Sequence, residues 1–194
     1  MHGLLLRPVQ SFVTEIYGPQ AWTTLADATD VEGVNIEPME FYPEDLADQL
    51  IAAAAAQLDK PDAEFLEDLG GYLVSHPNCE AVRRLLRFGG DTFLEFLYSL
   101  NELPARARLA VTDLTLPELD LREHYSGSLT LTVSGGPAGS GDVLVGMLRA
   151  LADDYGALVL LENLGANGGV YVIDIRLLDL CYQEGRAFQL VRGE

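Results

Sequence analysis

The hydrophobic period of this chain changes at Pro117, and that change limits the architectures open to it. Before Pro117, apolar residues recur at helical spacing: Leu46, Leu50, Ile51, Ala54 and Leu58 in one stretch, Phe65, Leu66 and Leu69 in the next. After it, Leu129, Leu131 and Val133 alternate with Thr130, Thr132 and Ser134, the period of a half-buried strand. Short helices are expected over about 8–17 and 19–28, each with a proline near its first turn, where a missing N–H has no intrahelical partner. Further helices are expected from Pro43, with Glu44 and Asp45 placed against the N-terminal dipole, and over about 61–73, where Gly70-Gly71 should weaken the later part. His76-Pro77-Asn78-Cys79 reads as a break, followed by a helix with Val82, Leu85 and Leu86 inward that ends at Gly89-Gly90. The next helix has Asp91 as its expected N-cap and Phe93, Leu94, Leu97, Leu100 and Leu103 inward.

Beyond the first strand, a glycine-rich turn leads to a helix over about 141–154. Two strands then follow, at 157–161 and 170–175, around a turn at Gly165-Ala166-Asn167-Gly168-Gly169. Helices first, then strand, helix, strand and strand, is an α+β order: an N-terminal helical lobe followed by helices packed on a small antiparallel sheet. The 194 residues suit one domain, with a helical subdomain over 1–60 and a helix-plus-sheet subdomain over 61–194.

A formal charge of -18 sets up repulsion from nucleic-acid phosphates and anionic lipid, so neither is an expected partner. No leader-like segment and no apolar run of membrane length is present, and Cys79 and Cys181 give neither a disulfide framework nor zinc spacing; a reducing cytoplasm is expected. The glycines at 136 and 141 have phosphate-loop separation, but Asp142 stands where that motif needs Lys, so a strand-to-helix turn capped by Ser140 or Asp142 is expected instead. Arg83, Arg84 and Arg87, with Arg106 and Arg108, concentrate the scarce positive charge on a solvated face or a docking patch. His2 reads as structural or solvated and His76 as solvent-exposed, while His124 stands next to Tyr125 before the first strand; no pair has His-x-x-x-His spacing. No nucleophile and base pair is visible, and no enzyme activity is expected.

Two stretches carry a resemblance. Met1-His2-Gly3, followed by Phe12-Val13-x-Glu15-x-Tyr17-Gly18-Pro19-x-x-Trp22, resembles the start of the heme-nitric oxide/oxygen binding (H-NOX) domains, including those of soluble guanylate cyclase. Phe93-Leu94-x-Phe96-Leu97-x-x-Leu100-Asn101-Glu102-Leu103 resembles the helix in which that family writes Phe-Leu-x-x-Leu-Asp-x-Leu-His. The position of the family's iron-binding histidine is then Pro104, and Pro117 and Leu119, thirteen and fifteen places on, match the family's Pro-x-Phe and fix that register. Proline has one main-chain nitrogen and no lone pair for iron. In a helix interior it costs about 3 kcal/mol, so the helix is expected to end or kink by Leu103.

Downstream, Leu129-x-Leu131-x-Val133 with Gly139, Gly146 and Leu148 is similar to the family's run into its last long helix. In that register the Tyr-x-Ser-x-Arg triad that holds the heme propionates in the family becomes Val133, Gly135 and Pro137; a register on Tyr125-Ser126-Gly127-Ser128 still lacks the arginine and loses the Gly146 match. Charge-assisted hydrogen bonds of that kind are worth about 1.5 to 3 kcal/mol each.

Residue by residue, the resemblance implies a pocket at Leu5, Val9, Leu73, Pro104, Pro117, Val143 and Met147. An empty void costs about 24 cal/mol per Å³, so collapse of the lobes is expected; a cavity that stayed open would suit a hydrophobic ligand. The expectation is a bacterial, stand-alone H-NOX-like signalling module with no heme, acting on a protein partner such as a cyclase or a sensor histidine kinase. The alternatives are a gas sensor that holds heme through an unusual ligand such as His124, and a carrier of another apolar molecule.

Overall fold

The computed structural model describes residues 1–29, 35–125 and 127–186. Among these residues, eight α-helices and four strands follow in the order α1 (Gly3–Phe12), α2 (Pro19–Ala28), α3 (Leu46–Leu58), α4 (Asp62–Ser75), α5 (Glu80–Arg87), α6 (Phe93–Tyr98), α7 (Leu103–Ala110), β1 (Glu118–Glu123), β2 (Ser128–Ser134), α8 (Ser140–Tyr155), β3 (Leu158–Asn167) and β4 (Val170–Asp179), with α7 and β1 added to the expected elements. The sheet is antiparallel throughout, in the order β1-β2-β4-β3, so the α+β expectation holds.

Two hydrophobic cores organise the chain. One gathers α1 to α3 and the first part of α4 around Trp22, Phe12 and Phe65; the other gathers α6, α8 and the inner sheet face around Phe93, Phe96, Leu131 and Ile173. The subdomain boundary expected at residue 60 falls in the α3–α4 turn, and the cores meet further on, inside α4, where Tyr72 belongs to the first and Val74 to the second. Helix α8 serves both: Val143 packs on the helical core and Met147, one turn later, on the sheet core.

Several boundaries differ from expectation, each for a local reason. Helix α1 starts at Gly3, not near Pro8, because His2 acts as N-cap, its Nδ1 accepting from the Leu4 N–H at 3.1 Å, while the Gly3 N–H donates to Glu40 O at 2.8 Å. Pro8 is therefore interior, and the next turn widens into a π-helical segment, Val13–Tyr17, that Gly18 ends at φ 92°. Helix α3 begins at Leu46. Helix α6 is capped by Thr92, not Asp91, in a reciprocal box with Glu95. Helix α8 starts at Ser140 behind Gly139 with no side-chain cap: the Ser140 hydroxyl donates to Pro137 O, and Asp142 accepts from Asn163 instead.

Gly70-Gly71 does not interrupt α4, which runs on to Ser75. A Cβ at Gly70 would lie 2.1 Å from Val143 O, and one at Gly146 1.9 Å from Glu67 O, so these two glycines let α4 and α8 touch backbone to backbone. In the sheet, β1 was not expected at all. The β3–β4 hairpin turns at Gly168-Gly169 rather than from Gly165, which sits in β3 at φ 93° where the register shifts.

Candidate functional site

The segment around residue 104 is a broken helix. After Tyr98 the chain tightens into a 3-10 turn, Leu100–Glu102, and α7 restarts at Leu103 with Pro104 in its first turn, in agreement with the expected break. There the absent N–H leaves no helical bond unmade. Pro104 is buried and Leu103 half-buried against the sheet core. Asn101 Oδ1 accepts from the Leu121 N–H at 2.8 Å, which ties the turn to β1, while Arg106 Nη2 donates to the Ser99 hydroxyl at 3.2 Å. At position 104 the chain thus offers a saturated ring and a tertiary amide nitrogen without an available electron pair.

The other pocket positions follow the junction of the two cores. Val9 is buried in the helical core, on which Val143 also packs, whereas Met147 faces the sheet core. Leu5 and Leu73 are half-buried, Leu73 standing between Tyr72 and Val74 on α4. Pro117 is half-buried beside the β2–α8 turn, its Cβ 2.7 Å from where Gly136 would carry a Cβ. None of the seven lines either of the two clefts described among these residues.

The three positions matching the family's propionate-holding triad offer no side-chain donor. Val133 is fully buried in β2 opposite Leu119 and Tyr171, Gly135 carries no side chain, and Pro137 gives its carbonyl to Ser140. The histidines are engaged elsewhere. His2 is a buried cap, not a solvated residue, with Phe41 at 5.0 Å against its ring. Exposed His124 sits at the β1–β2 hairpin with Nε2 2.8 Å from the Thr130 hydroxyl. Thr130 alternates with buried Leu129 and Leu131, so this contact lies on the sheet face that points away from α8. Among the described residues, no group of three or more His, Cys, Asp or Glu side chains could hold a metal ion.

His76, expected to be exposed, is instead part of a polar cluster that sequence reading missed. Its ring stacks on Tyr72 at 4.6 Å, and Nδ1 lies 3.1 Å from Glu15 Oε2. The Tyr72 hydroxyl donates to Glu15 at 2.7 Å and Asn78 Nδ2 donates to it at 2.5 Å. These donors, Tyr72 first, hold the Glu15 carboxyl below its ordinary range, while burial and then Glu15 push the Tyr72 phenol far up. Burial likewise raises the thiol of Cys79, which packs on the helical core rather than in a polar loop. The cluster ties the π-helical turn to the end of α4, beside an open cleft of roughly 600 Å³ floored by Gly71 and Gly146.

Of the clustered arginines, Arg83 and Arg87 turn inward, whereas Arg108 balances a carboxylate on the solvated surface as expected. Arg83 pairs at 2.6 Å with Asp154, which is only 2% exposed, and Arg87 lies over the Tyr155 ring at 3.8 Å. Arg108 pairs with Glu118 at 2.7 Å.

A helical lobe is thus joined through α4 and α8 to a second lobe of helices on a four-stranded antiparallel sheet. The Haem-NO-binding (HNOB) family model matches residues 2–162, and the chain belongs to that family. It is 20% identical over 155 residues to soluble guanylate cyclase 89Db of Drosophila melanogaster, covering 80% of this chain and 23% of that protein. It is 22% identical over 154 residues to soluble guanylate cyclase gcy-31 of Caenorhabditis elegans, covering 79% and 22%. The chain therefore matches less than a quarter of the length of these cyclases. Solved H-NOX structures share the fold. The Fe(II)NO form from S. oneidensis superposes with a TM-score of 0.77 at 15% identity, over 92% of this chain and all of that one, and the unliganded Fe(II) form from K. algicida with 0.75 at 18% identity, over 97% and 100%. Among the described residues, no helix is long and apolar enough to cross a membrane.

Proposed function

We propose that this chain is an H-NOX signalling module that does not hold heme in its family's manner and acts through contact with another protein. The observation that carries the proposal is Pro104. It is buried at the start of α7, in the register of the family's iron ligand, and its ring nitrogen cannot bind a metal. The same absence of donors at Val133, Gly135 and Pro137 removes the contacts that would hold two carboxylates in a partly apolar site, where an unpaired charge is costly. Heme does not fit the residues present at these four positions. The signalling partner is a separately folded protein of the cyclase or sensor-kinase type, to which this domain presents a surface rather than a reaction.

Reconstitution tests this reading. The chain mixed with hemin under reducing conditions and then desalted should show no stable Soret band and no spectral response to nitric oxide. A stoichiometric Soret band refutes the proposal. If such a band is present and collapses in His124→Ala, the ligand is the histidine at the hairpin; if it survives, the heme is held by other groups.

A further inference from the structure

Helix α5 is moored to the last turn of α8, and the segment after β4 closes over that same turn. Arg83 Nε pairs with Asp154 Oδ2 at 2.6 Å, Arg87 lies over the Tyr155 ring, and the Tyr155 hydroxyl donates to Gly90 O at 2.8 Å. Past β4 the chain turns back, so that the Gln183 N–H donates to Gly156 O at 3.1 Å and the Arg186 N–H to Asp154 O at 2.9 Å. A helix end leaves carbonyls without intrahelical donors, and the returning segment supplies donors here. Glycines stand on both sides of the contact. A Cβ at Gly156 would lie 2.1 Å from Gln183 O, and one at Gly185 2.8 Å from Asp154 O and 2.9 Å from Tyr155 O. The segment lies beyond residues 2–162, which the family model matches.

The two cations at Asp154 hold it unequally. The carboxylate is 2% exposed; one oxygen meets Arg83 closely, while the other lies 3.7 Å from Arg186 Nη1, whose side chain is 63% exposed. The inner pair is shielded from water and salt, whereas the outer one is long and open to both. Residues 181–184 and 186 are exposed and Gly185 is half-buried, so no apolar side chain pins the segment down. We infer that residues 181–186 form a releasable strap, whose seating on the end of α8 sets how firmly α5 is held. Seated, the strap covers Asp154 and keeps its pair with Arg83 out of water. Drawn off, it opens that carboxylate to solvent and ions, and the mooring of α5 weakens. A protein that takes hold of 181–186 would thereby loosen α5. The inference stands apart from the reading of Pro104, since none of its contacts involves that position.

Hydrogen exchange of the full chain, followed residue by residue by NMR, tests the inference with Gly185→Val, which wedges the strap off α8 without changing a charge. In the wild type the Gln183 and Arg186 amides should be protected. In the variant they should exchange at least about tenfold faster, and the amides of α5 about three- to tenfold faster, with α3 unchanged. Raising salt to about 0.5 M should speed α5 exchange in the variant and leave the wild type nearly unaffected, because only the uncovered pair is screened. Glu184→Gln, on an exposed position of the strap, should behave as wild type. Strap amides that exchange freely in the wild type, or stay protected in Gly185→Val, overturn the inference. A variant that frees the strap while α5 keeps its protection overturns it too, as does an equal salt response in the two proteins.

Discussion

Gly70 and Gly71 are adjacent in α4, have the same intrinsic helix cost, and should respond to alanine with opposite signs. In a helix interior glycine is less favourable than alanine by about 0.8 to 1 kcal/mol, so propensity alone makes both substitutions stabilising. At Gly71 nothing lies within 4 Å of the added methyl, and the full gain should appear. At Gly70 the methyl would stand 2.1 Å from Val143 O and 2.9 Å from Met147 N, both rigid main-chain atoms of α8, whereas ordinary contact begins near 3.4 Å. The helices must separate along the seam that joins both cores. Overpacking of this kind costs about 1 to 3 kcal/mol, and main-chain atoms place it at the upper end. Urea unfolding, read as ΔG with its slope, should show Gly71→Ala more stable by about 0.5 to 1 kcal/mol and Gly70→Ala less stable by about 1 to 2 kcal/mol net. Shifts of the same sign, or a Gly70→Ala protein within error of wild type, would refute the backbone contact between α4 and α8.

Further outcomes follow from single contacts. Asp154→Ala removes the buried partner of Arg83 and should cost about 3 to 5 kcal/mol in urea unfolding, with Arg83→Met in the same background restoring part of it. Thr92→Ala breaks the capping box of α6 and should cost about 1 kcal/mol by the same measurement. Because the Glu15 carboxyl is held below its ordinary value of 4.5, its contribution to stability is complete above that pH and is lost as pH falls through the lower folded value. Thermal unfolding of Glu15→Gln should therefore lose part of the acid-side decline below pH 4.5 that the wild type shows.

Much of the fold is legible in the sequence where local chemistry and tertiary context agree. Gly18 before Pro19 bounds α2, the Leu129 to Val133 alternation is β2, and Pro104 divides α6 from α7. Legibility ends where a distant contact decides. The start of α1 depends on the backbone of Glu40, and the persistence of α4 through two glycines depends on α8. Strand β1 carries only Leu119 and Leu121 among four charged residues, and its pairing with β2 supplies the order its composition does not. Phe96 falls outside the stripe that helical spacing picks out, yet it is buried because α6 is covered on two sides, its ring lying 6.1 Å from Tyr155. The Glu15 cluster gives no signal in sequence, since its partners lie 57 to 63 positions away. At the family's ligand position the reverse holds: identity and register are plain in the sequence, and the structure adds burial and the helix break that accommodates the proline.

The most direct measurement is the heme content of the chain itself, expressed with ample heme supply, purified, and assayed as moles of pyridine hemochrome per mole of protein. A proline in place of the imidazole, with no donors for the propionates, predicts a ratio near zero. A ratio near one, retained through extensive washing, would contradict it.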